Sequence, residues 1–382
     1  MTKELVRYYS PQTLYCRKMI NDKIDIELIT KFRDKVNSNS YFVLQKYKNV
    51  NEKNQWNIIC SCMDWISVAI RNIDDMKKDH ANIDILSMQI YSYISAIDII
   101  FEAITQLNRV LTGSNSIPFK NNNSIFQKNT LFKSMDDNTY FKQIRAIFGA
   151  HPVNINDKSG QWFASWPYNQ SIDDHDFQVM LYSNKINQDD ITFGIQFEEL
   201  NKFLNSRYSY LYTLIKMIDN QFNEYILEKK KQPIKIDKNT IKQLEILLEE
   251  AKNRLDNDYY VYAIVDLLKI FNSQLSSNHS LEKKYKIELK KVVYEIYNNL
   301  QDMEIVDLKN DKILYPDYPS SLFYEMSKLL PLLSHPQHDP LFNYYIKQIN
   351  NQSNKEIVID EDDSNDLILL KVKILMYYNM WI

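Results

Sequence analysis

Glycine is scarce in this chain. It occurs four times in 382 residues, where average usage of about 7% would give several times more. Phosphate-binding loops depend on clustered glycines for their tight turns and their close backbone approach to the ligand. The four isolated glycines are Gly113, Gly149, Gly160 and Gly194. The sequence therefore excludes a P-loop nucleotide hydrolase and a dinucleotide-binding fold.

The chain also has few arginines, a small net charge and few cysteines. Eight of the 46 basic residues are arginine, and the formal net charge is -3, which excludes a uniformly basic nucleic-acid coat but not a local basic groove. The spacing of Cys16, Cys60 and Cys62 fits neither a disulfide framework nor a zinc site. We therefore expect a reducing compartment, by default the cytoplasm.

A long uninterrupted apolar run is also lacking. The N-terminus has no apolar core of the kind found in signal peptides, and the longest apolar stretch, from Ile90, contains Asp98 and Glu102. We interpret this stretch as a buried helix and expect no membrane association. Since 45% of the residues are hydrophobic, the chain can build the core of a large globular protein.

The sequence does contain long amphipathic segments. Apolar residues that recur every three or four positions predict helices. In the first 231 residues these lie at 24–48, 55–78, 83–112, 137–148 and 197–231. The segment 83–112 is apolar nearly all round, so we expect it at the centre of a bundle. Short aromatic and β-branched segments predict a small antiparallel meander between helices, at 161–168, 177–183 and 191–197.

A charge run with a proline, KKKQPIKID at 229–237, marks the expected domain boundary. We predict a mainly all-α protein with two domains. The first, 1–230, is a helical bundle with a β insertion at about 160–197, and the second, 231–382, is all-helical and of unknown role. Its predicted helices lie at 238–255, 258–276, 280–302, 319–333, 339–351 and 364–380.

The stretch YFKQIRAIFGAHPVN at 140–154 carries the main candidate site. Chance alone supplies about 0.4 matches to an Arg followed by a His at such spacing in this chain, so the local context matters more. Six residues of regular helix would point Arg145 and His151 about 120° apart. Gly149 and Pro152 predict that the helix ends between Arg145 and His151. His151 can then turn back toward Arg145. An Arg fork binds phosphate, and a His transfers protons near neutral pH.

A helical bundle with RAIFGAH (Arg145 to His151) near the end of a late helix resembles the HEPN superfamily, over roughly residues 20–230. The resemblance implies a metal-independent endoribonuclease of the toxin or abortive-infection (antiviral defence) type, which leaves 2',3'-cyclic phosphate ends. It also implies a homodimer that brings two motifs together, with Arg145 and His151 catalytic and no cofactor. Ala146, where family members often carry a polar residue, departs from the pattern. The alternative is a non-catalytic HEPN-like module for dimerisation or partner binding, and residues 231–382 are expected to serve regulation, partner binding or RNA capture.

Several side chains are candidates to support this site. Asp98 and Glu102 lie four apart on one face of the most apolar helix, where a carboxylate needs a partner, and can hold Arg145 or His151 in place. The alternatives are a polar stripe at the edge of this helix or an ion pair with a surface lysine. Arg109 extends the same face. Two indoles that follow the motif can stack on RNA bases or form the core of the small sheet. These are Trp162 and Trp166.

Metal sites are not expected. His335, His338 and Asp339 lie close together in sequence, but neighbouring prolines exclude the helix that H-x-x-H sites use, so we interpret them as a loop. Cys60 and Cys62 lie two apart on a helix and are interpreted as core packing.

Overall fold

The computed structural model describes residues 24–382 apart from 76–81, 129–130, 132–134, 150–154, 158–159, 168–174, 255–257, 277–279, 305 and 335–339. The protein is mainly helical, as predicted, with one small antiparallel sheet. It divides into two compact units, Met1–Phe222 and Asn223–Ile382. The division falls inside one helix, whose last residue, Lys231, is where the charge run placed the boundary.

The first unit is a helical bundle that carries the sheet. Its helices are α1 (Leu28–Ser38), α2 (Ser40–Tyr47), α3 (Trp56–Asp75), α4 (Ile83–Thr112), α5 (Asp137–Gly149), α6 (Phe197–Tyr208) and α7 (Leu211–Lys231), the last of which continues into the second unit. The predicted bounds of α3, α4 and α5 agree with these to within a few residues.

Helix α4 is the central helix of the bundle, as its apolar pattern predicts. It packs against α3, α5 and α6 and buries most of its side chains. By length and composition alone α4 could also cross a membrane, but half of its most apolar 18-residue window is buried inside the protein. The core helix of a bundle meets the same criterion, and the packing of α4 on three neighbours favours that interpretation.

The sheet follows α5 and has the strand order β1-β2-β3-β4. Its strands are β1 (Ile155–Asp157), β2 (Gly160–Ser165), β3 (Phe177–Ser183) and β4 (Ile191–Ile195), and every neighbouring pair is antiparallel. Residues of β3 alternate between buried and partly exposed positions, with Phe177, Val179 and Leu181 inside. This period of two is typical of a sheet with one covered face.

Aromatic contacts join the sheet to α5. Phe148, in the last turn of α5, lies 5.8 Å from Phe193 of β4 and 6.1 Å from Phe177 of β3, between ring centroids. Earlier on the same helix, Phe141 stacks on Phe203 of α6 at 4.4 Å. These contacts on both sides hold the α5 backbone in place between the sheet and α6.

Buried polar contacts fix the start of α5. The Asp137 carboxylate accepts hydrogen bonds from backbone N–H groups in the preceding loop, including that of Ile125 at 3.1 Å. Next to it, the Asn138 side-chain oxygen accepts from Arg207 Nη2 at 2.7 Å. Arg207 is fully buried against the Phe203 ring, and burial lowers its pKa to about 10. A buried guanidinium needs such partners, so these contacts tie α5 to α6.

The second unit is helical throughout the part that the structure describes. Its helices are α8 (Thr240–Arg254), α9 (Asp258–Asn272), α10 (Ser280–Gln301), α11 (Asp311–Leu314), α12 (Phe323–Leu332), α13 (Phe342–Gln352) and α14 (Asn365–Tyr377). Helix α14 is buried from Ile368 to Met376 and packs against α9 and α10. Its Lys373 donates to the Leu314 carbonyl at 2.6 Å and lies 3.7 Å from Asp266.

Four predictions about elements were wrong in detail. The helix predicted over 24–48 is two helices that meet at Asn39, and the helix predicted over 197–231 is broken after Tyr208. The sheet has a fourth strand, β1, which is too short for its alternation to be recognised. The helix predicted over 319–333 starts with a 3-10 turn at Ser320–Leu322.

Candidate functional site

The structure brings Arg145 of α5 and Asp98 of α4 together. Arg145 Nε lies 2.8 Å from Asp98 Oδ2. The pairing follows from the packing of α5 on α4, in which Phe141 of one helix contacts Phe101 of the other. Arg145 lies four residues, or about one turn, after Phe141, and Asp98 lies three before Phe101. The Asp98 carboxylate thus pairs with Arg145, a contact that was among the expectations from the sequence, and its support of a catalytic site stays a prediction.

The two partners differ in exposure. The Asp98 side chain is 12% exposed and that of Arg145 is 54% exposed. Burial raises the pKa of the Asp98 carboxyl, and Glu102 raises it further, whereas Arg145 and Lys142 lower it. Since burial is the largest of these causes, the ion pair does not fully offset the loss of solvent around Asp98. Its second oxygen, Oδ1, is buried without a hydrogen-bond partner among the described residues.

Glu102, one turn further along α4, pairs with Lys142 of α5. Their charged atoms, Oε1 and Nζ, are 3.6 Å apart, and both side chains are about half exposed. The prediction of a surface ion pair with a lysine is therefore correct for Glu102. Lys142 was not singled out from the sequence, although its position three residues before Arg145 on the same helix face would have indicated it.

The α4–α5 surface thus presents two cations, each beside a carboxylate. Asp98 fixes the guanidinium of Arg145 through Nε, and within the described residues the terminal nitrogens, Nη1 and Nη2, make no hydrogen bond. Two parallel N–H donors on an exposed guanidinium match two oxygens of a phosphate. The arrangement can therefore bind a phosphodiester at the protein surface.

His151 and Pro152 lie outside the described residues, so the proximity of His151 to Arg145 stays a prediction. Helix α5 ends at Gly149, one residue beyond the predicted end.

Arg109 does not join this group. It lies seven residues, about 10 Å along the helix axis, beyond Glu102. Its Nε is buried without a hydrogen-bond partner among the residues that the structure describes. The predicted polar line along α4 therefore contains Asp98 and Glu102 but does not extend to Arg109 as one site.

The two indoles occupy different environments. Trp162 in β2 is buried, as the sheet-core alternative predicts, and its ring is not available to stack on a base. Trp166 lies just beyond the end of β2 and is exposed, with its ring 6.3 Å from that of Phe177. Of the two candidates, Trp166 alone keeps the access to solvent that base stacking needs.

The remaining candidates lie elsewhere. His335, His338, Asp339 and Cys16 fall outside the described residues. In α3, Cys62 is buried, which raises its pKa to about 11, and Cys60 is partly buried; both thiols are free, in agreement with core packing. No group of three or more His, Cys, Asp or Glu residues is placed to hold a metal ion in the described part of the chain.

Comparisons with protein-family models, with curated proteins and with solved structures found no match to this chain.

Proposed function

We propose that the first unit is a HEPN-like endoribonuclease that works without a metal ion. The observation that carries the proposal is the Arg145 guanidinium, which is paired with Asp98 at Nε on a side chain that is 54% exposed. A fork of this kind binds two oxygens of a phosphate and stabilises the additional charge that develops on it during cleavage.

His151 would supply the proton transfer. An imidazole near neutral pH can accept the proton of a ribose 2'-hydroxyl, whose oxygen attacks the neighbouring phosphorus and displaces the 5'-oxygen. The products are a 2',3'-cyclic phosphate and a 5'-hydroxyl, the latter protonated by the imidazolium or by water. RNA carries this internal nucleophile and DNA does not, so RNA is the proposed substrate.

The wider setting of this activity is part of the same proposal. The resemblance favours a cytoplasmic toxin or abortive-infection effector that acts as a homodimer. In this scheme residues 231–382 bind RNA or a regulatory protein partner. Lys142 lies on the same face of α5 as Arg145 and adds positive charge along the path of a phosphate backbone.

The test is cleavage of a 5'-labelled RNA by the purified full chain in EDTA, because the labelled fragment then carries the new 3' end. We expect 2',3'-cyclic phosphate ends, and a loss of rate of about 100-fold or more in Arg145→Ala and in His151→Ala. Arg145→Lys keeps the charge but not the fork, so it should fall between wild type and Arg145→Ala.

Arg71→Ala is the matched control, since Arg71 is an exposed arginine on α3 and its loss should leave the rate unchanged. The catalytic assignment is wrong if Arg145→Ala and His151→Ala cleave at the rate of wild type. Equal cleavage by all variants would indicate a contaminating nuclease.

A second candidate function is a non-catalytic module that dimerises or binds a partner protein. It is favoured by large apolar side chains that α3 and α4 expose, among them Trp65 and Met88. Under this alternative the wild-type chain cleaves no RNA and still self-associates.

A further inference from the structure

The second unit contains a pocket of about 260 Å³ between the start of α8, the middle of α10 and the segment that precedes α8. Its walls combine apolar, aromatic and basic side chains, which come from Ile236, Asp237, Lys238, Thr240, Gln243, Lys290, Val293, Tyr294 and Tyr297. Small-molecule sites have this character, with an apolar lining and a few convergent polar groups.

Hydrogen bonds fix the wall formed by the segment before α8. The Gln243 side chain accepts from the Asp237 N–H at 2.7 Å and donates to the Lys235 carbonyl at 3.3 Å. Ile234 is buried, and its N–H donates to the Gln301 side chain at 2.8 Å. The pocket is therefore formed before any ligand arrives, which reduces the entropic cost of binding.

The apolar wall of the pocket contains large side chains that are exposed to solvent. Ile236 and Tyr294 are both largely exposed although they border a concave space. Tyr294 and Tyr297 lie three apart on α10, hence on one face of that helix. Two phenol rings and an aliphatic side chain provide a surface on which a planar aromatic ring can stack.

The charged groups at the pocket favour an anion. Lys238 and Lys290 line it, and no ion pair joins either of them to a carboxylate among the described residues. By contrast Lys291, the next residue on α10, pairs with Glu288 at 2.5 Å and lies outside the lining. Asp237 also lines the pocket and accepts from the Asn239 N–H at 2.8 Å. Thr240 opens α8, whose first N–H groups are capped by the Asn239 side chain, which accepts from the Ile241 N–H at 2.9 Å. The attraction for an anion therefore comes from the two ammonium groups.

We propose that this pocket binds a nucleoside monophosphate, with its base against Tyr294, Tyr297 and Ile236 and its phosphate between Lys238 and Lys290. The volume lies just below the range of about 300 to 1,000 Å³ that drug-sized ligands occupy, which fits one nucleotide rather than two. The site goes beyond the proposed ribonuclease activity and does not depend on it, because its lining residues all belong to the second unit.

The test is titration calorimetry of the full chain with AMP, GMP, CMP and UMP. We expect at least one of them to bind with a dissociation constant in the range of roughly 10 to 100 μM. Adenosine and inorganic phosphate, which each lack one half of the ligand, should bind at least about tenfold more weakly than AMP if AMP binds. Phosphotyrosine, an aromatic ring with an anion but no base, should also bind more weakly.

Two pairs of variants locate the site. Lys290→Gln and Tyr294→Ala should each weaken binding by at least about fivefold. Their matched controls are Lys291→Gln and Tyr262→Ala, because Lys291 lies outside the lining and Tyr262 on α9 is as exposed as Tyr294, at 67%. All four side chains are exposed, so thermal unfolding should be unchanged.

The proposal is overturned if none of the four nucleotides has a dissociation constant below about 1 mM. It is also overturned if the control variants lose affinity as much as the pocket variants, or if phosphotyrosine binds more tightly than every nucleotide. The last result would assign the pocket to a phosphorylated peptide. The readout is nucleotide binding alone, which keeps this test separate from that of the ribonuclease.

Discussion

Asp98 carries its charge in a poorly solvated position, which makes its contribution to stability depend on pH. Burial raises the pKa of this carboxyl above its ordinary value of 3.8. The folded state therefore holds the proton more tightly than the unfolded chain does, and ionisation of Asp98 costs stability. The cost is absent at pH values below the ordinary pKa, grows through the window above it, and is complete above the raised pKa. At neutral pH Asp98 thus holds Arg145 at the expense of the fold.

The variant Asp98→Asn tests this account at the residue scale. The amide has nearly the shape of the carboxylate but carries no charge, so its burial costs less than that of the ionised Asp98. We therefore expect the melting temperature of the variant, relative to wild type, to be more favourable at pH 7 than at pH 3.5. RNA cleavage should fall at the same time, since the guanidinium is held less firmly. Asp64→Asn is the control, because Asp64 is an exposed carboxylate that also pairs with an arginine, Arg33. The account is contradicted if the melting temperature of Asp98→Asn relative to wild type is the same at both pH values, or is lower at pH 7 than at pH 3.5.

Helix α4 is capped at its C-terminal end by Gly113, whose backbone conformation favours glycine. Gly113 follows the helix with φ at 64°, in the left-handed region, and a Cβ built there would meet no atom within 4 Å. Gly113→Ala should therefore destabilise the fold for conformational reasons alone, by about 1 kcal/mol. Gly113→Asn should cost less, because asparagine tolerates this region better. Urea unfolding measures both changes, and equal stability of Ala and Asn variants would show that the conformation is not the cause.

Helix periodicity predicts α3, α4 and α5 but not the breaks at Asn39 and after Tyr208. Neither break contains glycine or proline, although the Asn and Ser residues at 37–40 are a weaker local signal for the first one. The first is set by tertiary packing, since α2 has to bring Phe42 to within 5.5 Å of Phe222, a residue far along the chain. The same limit applies to the site. The sequence places Asp98 and Arg145 on helix faces, whereas the distance between them depends on how α4 and α5 pack.

At the scale of the whole molecule, the first unit exposes apolar side chains along one side of the α3–α4 pair. Asn72 of α3 donates to Ser92 of α4 at 3.4 Å. Residues three, four and seven apart share a helix face, so this bond places Val68 and Met88 on the same side of the pair, together with Trp65. Val68 and Met88 are each 60% exposed. We propose that a second copy of the chain covers this side, which would agree with the homodimer that the resemblance implies.

Sedimentation velocity of the full chain tests this proposal. We expect a dimer at micromolar concentration, and a monomer with an unchanged circular dichroism spectrum after Val68→Asp and Met88→Asp together, because two buried carboxylates per copy would oppose association. Ile186→Asp is the control, since Ile186 is 91% exposed in the turn after β3 and its loss should leave the dimer intact. A wild-type monomer, or a double variant that still dimerises, would rule out this side as the interface. If catalysis needs two Arg145 groups across the dimer, the monomeric variant should also lose RNA cleavage while Ile186→Asp keeps it.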